Sequence, residues 1–224
     1  SVLVFLPLVG ALLVAATPSK AVGLQRGIAL VATLAVAWIG VVLCLDFDGS
    51  SAVAQHTESV PWFTLPGGVD VRYSLGMDGL SVLLVGLTAI LGPIVVLSTW
   101  GHIHERVKEF MIWLLVMQTG MLGVFLSLDL ILFYVFWETS LVPLYFILGI
   151  WGGERRLYAT IKFFLYTLAG SLVMLVAAIW LIWTTGTTDV VKLLDVAGAL
   201  PVETQLWLFG AFALAFAIKV PVMP

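Results

Sequence analysis

The chain has 224 residues, of which 62% are apolar and 10% are charged. Soluble globular domains are about 45–50% apolar and about 25% charged, so much of this chain is expected to face lipid instead of water. Its formal net charge of −3 gives no sign of a nucleic-acid partner, and its single cysteine excludes an internal disulfide. We therefore predict an all-α polytopic membrane protein with about seven transmembrane helices of about 20 residues each.

Seven apolar runs follow one another along the chain. They lie at about residues 2–16, 24–45, 79–100, 110–128, 130–150, 157–183 and 203–223. The first run is short for a membrane span. The fourth and fifth runs are joined only by Ser127-Leu128-Asp129, which predicts a tight antiparallel helical hairpin at the membrane edge.

Two connections contain patterns of their own. Residues 46–78, between the second and third runs, include Gly67 and Gly68 and a segment at 69–73 in which apolar and polar residues alternate. This pattern predicts a short β-hairpin lying on the outer face of the membrane. Residues 187–200 place apolar side chains between charged ones and predict a short amphipathic helix in the membrane interface.

The charges of the connections indicate a topology. The connections between runs 1 and 2, 3 and 4, and 5 and 6 hold six basic residues: Lys20, Arg26, Arg106, Lys108, Arg155 and Arg156. The connections between runs 2 and 3 and between runs 6 and 7 hold only Arg72 and Lys192, among several acidic residues. The positive-inside rule places the basic connections in the cytoplasm and the N-terminus outside.

Glu138 is an acidic residue inside the fifth run. It lies eight residues after Leu130 at the outer end of the run, which is about 12 Å at about 1.5 Å per residue and near the middle of a hydrocarbon core about 30 Å thick. A carboxylate at this depth cannot reach the headgroups, and acids in such positions usually serve transport or proton transfer. We predict a proton relay at Glu138. The alternative is a protonated, inert glutamate that hydrogen-bonds a neighbouring helix.

Lys219 is a cation in the seventh run. Pro221 lacks an N–H and is predicted to weaken or break the helix beside this lysine, as in the discontinuous helices that line ion paths. Snorkelling of Lys219 to the headgroups is the alternative. Lys162, in the sixth run, shares a helix face with Tyr166 and is a candidate second internal cation facing Glu138, with snorkelling again the alternative.

Three motifs resemble one known family. They are Phe136-Trp137-Glu138 followed by Pro143-Leu144-Tyr145, then Lys162-Phe163-Phe164-Leu165-Tyr166, and then Phe216-Ala217-Ile218-Lys219-Val220-Pro221. In this order they resemble the fifth, sixth and seventh helices of the antiporter-like subunits of respiratory complex I, and most of all the branch called subunit M or chain 4. The resemblance covers about residues 76–224, and residues 1–75 fit by topology only.

This resemblance implies a fold and a site. The fold would be the N-terminal half of a 14-helix inverted-repeat antiporter-like protein. Residues 1–75 would form the first two helices and the outer loop, and residues 76–224 the third helix plus helices four to seven of the first repeat. The family continues beyond the position of Pro224 into an eighth helix with another lysine. Glu138 and Lys219 would form a pair within a proton path.

The resemblance also implies a function, cofactors and partners for the chain. The expected function is proton translocation coupled to quinone reduction elsewhere in NADH:quinone oxidoreductase, so that the chain is part of an enzyme but has no catalytic, metal or cofactor site of its own. NADH, FMN, iron–sulfur clusters and quinone would be held by partner subunits. The expected partners are other membrane subunits, including neighbouring antiporter-like subunits, and the lipid bilayer, with no nucleic acid. The expected location is a bacterial plasma membrane or an organellar inner membrane.

Two other functions fit the same residues. The large subunits of multi-subunit Na⁺/H⁺ antiporters share these motifs. A seven-helix retinal protein also has an outside N-terminus and a lysine in its seventh helix, although here the candidate counterion Glu138 is on helix five and Pro221 follows Lys219 by two positions. The sequence does not distinguish H⁺ from Na⁺ as the transported ion.

Overall fold

The computed structural model describes residues 1–51, 53–220 and 222. Within these residues the chain is mostly helical and contains one two-stranded antiparallel sheet. In chain order the elements are α1 (Val2–Ala16), α2 (Val22–Asp46), β1 (Gln55–Leu65), β2 (Val69–Met77), α3 (Ser81–Ser98), α4 (Val107–Leu126), α5 (Leu130–Thr139), α6 (Leu141–Trp151), α7 (Arg156–Thr185), α8 (Val190–Ala197) and α9 (Val202–Lys219).

The predicted membrane spans are present as helices. Six stretches in the described part of the chain are long and apolar enough to cross a membrane: α2, α3, α4, the pair α5 and α6, α7, and α9. The helix α1 is also apolar but has only 15 residues. Large side chains on the outer surface, such as Trp38 and Trp207, are 72% and 77% exposed, as expected of groups that face lipid. The prediction of a helical polytopic membrane protein is confirmed.

The fifth span differs from the continuous run that the sequence predicted, because it is divided at Ser140 into α5 and α6. Pro143 has no N–H to donate to the carbonyl of Thr139, which interrupts the helical ladder at this point. The Ser140 hydroxyl donates to the carbonyl of Trp137 at 2.8 Å. Pro143 falls in the first turn of α6, where proline is tolerated. The break therefore directly follows the segment that carries Glu138.

The helix α9 ends at Lys219. The helix break predicted at Pro221 lies outside the described residues and stays a prediction. α9 packs closely against α7, since a methyl group added at Gly170 would lie 2.6 Å from the Cδ1 atom of Ile218. This close approach places the end of α9, and with it Lys219, against α7.

The helix α4 lies at the centre of the structure and contacts α1, α2, α3, α5 and α6. One buried cluster joins side chains from five helices, namely Leu3, Val36, Val85, Leu122 and Phe136. A second apolar cluster packs α1, α2, α3 and α4 together towards the other end of α4. The first two helices therefore share a core with the later ones.

The predicted hairpin and the predicted amphipathic helix are both present. β1 and β2 pair antiparallel, and Gly67 and Gly68 take φ values of 100° and 82° in the turn between them. Glycine adopts this left-handed region without the steric cost that a Cβ would add. The short helix α8 lies within the segment predicted to be amphipathic, and it buries Leu193 against the bundle.

Asp129 joins the elements at this end of the bundle. It is 1% exposed, and its Oδ1 atom caps α5 by accepting from the backbone N–H groups of Ile131 at 2.9 Å and Leu132 at 3.1 Å. Its Oδ2 atom accepts from the backbone N–H of Arg72 in β2 at 3.1 Å and from the hydroxyl of Thr188 before α8. The sequence predicted only a polar residue at the membrane edge, whereas the structure buries Asp129 where the hairpin, α5 and the α7–α8 connection meet.

The basic connections meet at the opposite end. Arg26 donates to the carbonyl of Ile103 at 2.7 Å, and Lys108 donates to the carbonyl of Thr17 at 2.8 Å. The indole N–H of Trp151, at the end of the fifth span, donates into the same α3–α4 connection. The connections that were predicted from their charges to share one side therefore do lie at one end of the bundle.

Candidate functional site

Glu138 lies one residue before the end of α5. Its Oε1 atom is buried and accepts no hydrogen bond from the described residues. Tyr134, one turn earlier on the same helix, is close enough to interact with both Glu138 and Ser171 of α7. A buried carboxyl oxygen without a donor is costly to maintain, so this atom marks Glu138 as the polar centre of the site.

Lys219 reaches the break in the fifth span from α9. Its Nζ atom donates to the Oγ atom of Ser140 at 3.1 Å. The same ammonium group lies 4.7 Å from the ring centroid of Trp137, within the range of a cation–π interaction. The lysine therefore points towards α5 and not along its own helix to the headgroups. The place of Lys219 in a proton path stays a prediction.

Glu138 and Lys219 line one narrow cavity between the fifth span, α7 and α9, which is too small to hold a water molecule. The residues around it are Trp137, Glu138, Leu141, Thr167, Ser171, Ala215, Ile218 and Lys219. The ion pairs found among the described residues do not include one between Glu138 and Lys219, although the two groups interact electrostatically. The ammonium group is held beside the carboxylate by Ser140 and Trp137 without direct contact.

Two glycines on α4 let the fifth span pack closely against α4 at the break. A methyl group added at Gly120 would lie 3.1 Å from both the backbone nitrogen and the Cα atom of Ser140. At Gly123 it would overlap with the ring of Phe136. Because only glycine leaves room for these contacts, α5 and the start of α6 rest directly on the backbone of α4.

Lys162 is not brought to this cavity. It lies on the exposed surface of α7, and its Nζ atom is 6.0 Å from the ring centroid of Tyr158, one turn earlier. Its predicted position facing Glu138 is therefore not the one seen, and its part in a proton path stays a prediction.

Sequence reasoning missed Ser140 as part of the site. A serine in an apolar run normally satisfies its hydroxyl by bonding to its own helix, and Ser140 does so through Trp137. One feature of the sequence does indicate Ser140. It lies three residues before Pro143, which lacks the N–H needed to continue the backbone hydrogen bonds of the helix. Trp137 was noted only as part of a motif, and its contact with Lys219 depends on the packing of α9.

The fold and the site together define a class of protein: a polytopic helical membrane protein with a glutamate and a lysine close together among its apolar helices, beside a break in one of them. Residues 127–224 match the family model described as NADH:quinone oxidoreductase/Mrp antiporter, TM. This region contains both members of the pair and all three motifs.

Curated relatives extend the match over the whole chain. NADH-quinone oxidoreductase subunit M of Rhodobacter capsulatus is 40% identical over 240 residues, covering 100% of this chain and 46% of the relative. NADH-ubiquinone oxidoreductase chain 4 of Arabidopsis thaliana is 39% identical, covering 99% of this chain and 44% of the relative. The chain thus spans about half the length of the curated relatives it matches.

Solved structures agree with these relatives. A chain of respiratory complex I from Thermus thermophilus superposes with a TM-score of 0.82 at 33% identity, covering 98% of this chain and 44% of that one. A chain of the Mrp complex from Dietzia sp. DQ12-45-1b has a TM-score of 0.76 at 20% identity, covering 98% of this chain and 24% of that one, which shows a shared fold alone. The resemblance drawn from the motifs is confirmed: residues 127–224 match the family model, and the whole chain is similar to about half of these antiporter-like membrane subunits.

Proposed function

We propose that this chain is part of a proton-translocating, antiporter-like membrane subunit of an NADH:quinone oxidoreductase. The observation that carries the proposal is the placement of Glu138 and Lys219 in the lining of one narrow cavity, with the Lys219 ammonium group bonded to Ser140 and not to Glu138. In the larger fold, residues 1–75 would supply the first two helices and residues 76–224 the third helix and the start of the first repeat, as the N-terminal half of a 14-helix protein.

The proposed mechanism is an exchange between two positions of Lys219. In one, the ammonium group is held by Ser140 and Trp137, and Glu138 has no direct cation partner. In the other, the ammonium group contacts Glu138 and favours the charged carboxylate. Movement between the two positions makes Glu138 take up a proton and then release it, which is the step that a proton relay requires. Lys162 is retained as a predicted third member of the path.

The step is electrostatic, and its energy would come from redox chemistry in partner subunits. Those subunits would hold NADH, FMN, iron–sulfur clusters and quinone, and the membrane partners would include neighbouring antiporter-like subunits. The basic end of the bundle would face the cytoplasm and the N-terminus the outside, in a bacterial plasma membrane or an organellar inner membrane.

A Na⁺/H⁺ antiporter subunit is the second candidate, because the matching family model covers Mrp antiporters as well and the Mrp chain from Dietzia shares the fold. The identities favour the oxidoreductase, since the relatives at 39–40% identity are named as its subunits. A retinal protein is disfavoured by the same comparisons.

Purification of the full-length parent protein through an affinity tag tests the proposal. We expect hydrophilic subunits and NADH-oxidising activity to purify with it from mild detergent. Recovery with small membrane subunits alone, and without NADH oxidation, would instead support the Na⁺/H⁺ antiporter.

A further inference from the structure

A second buried polar group lies near the middle of α4. Gln118 is 5% exposed, and its Oε1 atom accepts no hydrogen bond from the described residues. Its Nε2 atom has only a long contact, 3.4 Å, with the carbonyl oxygen of Thr88. Buried polar atoms in folded proteins nearly always have a partner, so an amide oxygen without one at this depth points to a ligand that donates hydrogen bonds.

The amide of Gln118 borders a cavity of about 140 Å³ between α2, α3 and α4. Thr33 and Thr88 also line it, and they are 1% and 6% exposed. Each threonine hydroxyl donates to a carbonyl of its own helix, at 2.9 Å to Ala29 and at 2.8 Å to Leu84. With its proton used in this way, each hydroxyl oxygen is left as an acceptor. Three side chains that can accept a hydrogen bond therefore border the cavity near the middle of three helices, within a lining that is otherwise mostly apolar.

The backbone of α3 is shaped to admit this amide. A methyl group added at Gly92 would lie 3.0 Å from the Cδ atom of Gln118 and closer still to its Nε2 atom. Gly92 is followed by Pro93, which removes one hydrogen bond from α3 at the same level. Because Gly92 has no side chain, the amide of Gln118 fits against α3 at a point where an apolar side chain would otherwise pack.

We infer that this cavity binds one or two water molecules beside the amide of Gln118. Its volume is sufficient for them, and water supplies the donor that the Oε1 atom of Gln118 lacks. Apolar cavities of similar size stay dry, whereas cavities with two to four polar partners per molecule hold ordered water.

This site is separate from the Glu138 cavity. Gln118 and Gly120 are two residues apart on α4, which is about 200° around the helix, and Gly120 is the residue that contacts Ser140. Part of the rim, at Leu91 and Val95, is 43% and 36% exposed towards lipid. A lipid acyl chain that entered through this rim would exclude water, and the experiment below distinguishes the two occupants.

Two methionines in the lining, Met117 and Met121, report on the occupant. X-ray pulses convert bound water to hydroxyl radicals, which oxidise a neighbouring methionine to its sulfoxide. Met111 is the internal control, since it is on the same helix, 0% exposed and packed in an apolar cluster. The experiment uses the full-length parent protein in lipid nanodiscs, with sulfoxides counted by mass spectrometry.

We expect Met117 and Met121 to be oxidised at least about fivefold faster than Met111. In Gln118→Leu the rate should fall to that of Met111, because the central acceptor is lost. Thr119→Val is the matched control, since Thr119 is a buried hydroxyl on the same helix that does not line the cavity, and it should leave the rate unchanged. Oxidation no faster than that of Met111 in the unaltered protein, as an acyl chain would give, overturns the inference. A fast rate that persists in Gln118→Leu overturns it as well.

Discussion

The Nζ atom of Lys219 donates to the Oγ atom of Ser140 across 3.1 Å, and Ser140 is the residue at which the fifth span breaks. The Ser140 hydroxyl in turn donates to the carbonyl of Trp137. Ser140 thus connects α9 to the broken helix two residues after Glu138. It holds the cation close enough to influence the carboxylate without direct contact.

Ser140→Ala should slow proton translocation by about tenfold. The substitution removes the acceptor that holds Lys219 away from Glu138, and a hydrogen bond to a charged group contributes about 1.5–3 kcal/mol. The lysine would then remain on the carboxylate, which would be slow to take up a proton. NADH-driven acidification of membrane vesicles measures this rate. Thr139→Val is the matched control, since among the described residues the hydroxyl of Thr139 bonds within its own helix, to the carbonyl of Val135. Equal rates in the two variants would contradict the role given to Ser140.

Gly123→Ala should destabilise the protein by about 1–3 kcal/mol, the usual cost of overpacking. The new methyl group would overlap with the ring of Phe136, which is buried between α4 and α5. Gly27→Ala, on α2, is the control, because a methyl group there meets nothing within 4 Å. That change should be neutral or stabilising, since alanine favours a helix over glycine by up to about 1 kcal/mol. Denaturant unfolding in mixed micelles measures both, and similar effects would show that α4 and α5 are not in close contact.

Asp129→Ala should destabilise the protein by at least about 2 kcal/mol. It leaves several buried donors without an acceptor, and each such group costs about 1–3 kcal/mol. Asp189→Ala is the comparison, since Asp189 caps α8 through two backbone N–H groups in a more exposed place. Loss of such a cap costs about 1 kcal/mol. Limited proteolysis should also show faster cleavage in the β1–β2 hairpin of the Asp129 variant. Equal losses in both variants would indicate that Asp129 is only a helix cap.

Asp78 should make stability depend on pH in the acid range. The backbone N–H of Ser81 donates to this carboxyl at 2.7 Å and lowers the pKa of Asp78 below its ordinary value. A lowered folded-state pKa gives stability that is fully present above the unfolded value of about 3.9 and is lost as the pH falls through the folded value. Asp78→Asn keeps one acceptor without the titration. The measurement is the unfolding temperature of both proteins as the pH is lowered from neutral. The unaltered protein should lose more than Asp78→Asn, so that its unfolding temperature falls towards or below that of the variant. An equal dependence of the two unfolding temperatures on pH would contradict this.

Much of the fold could be predicted because lipid imposes simple rules on a chain. The runs at 24–45 and 157–183 correspond closely to α2 and α7, since apolar segments of this length must form helices that satisfy their own backbone. The break at Ser140 was not predicted, because the run stays apolar on both sides of it. A missing N–H at Pro143 changes the backbone without changing the hydropathy.

The sequence was sufficient to identify the individual residues of the candidate site. It was not sufficient to predict how those residues are placed relative to one another. Glu138 and Lys219 stand out because ionisable groups are rare at membrane depth. Their shared cavity depends on how closely α9 packs on α7 at Gly170 and how closely α5 packs on α4 at Gly120, and no local pattern encodes such approaches. The position of Lys162 could not be predicted for the same reason. The sequence shows which face of its helix carries Lys162 but not which other helix packs against that face.

The most direct test of the central claim is NADH-driven acidification in membrane vesicles that carry Glu138→Gln in the full-length parent subunit, with assembly checked on a native gel. Glu154→Gln, in the exposed α6–α7 connection, is the control and should behave as the unaltered protein. If Glu138 is the proton-binding group, acidification and quinone-linked NADH oxidation should both collapse while assembly stays normal. Normal assembly with both activities unchanged would contradict the account and make Glu138 a passive packed acid.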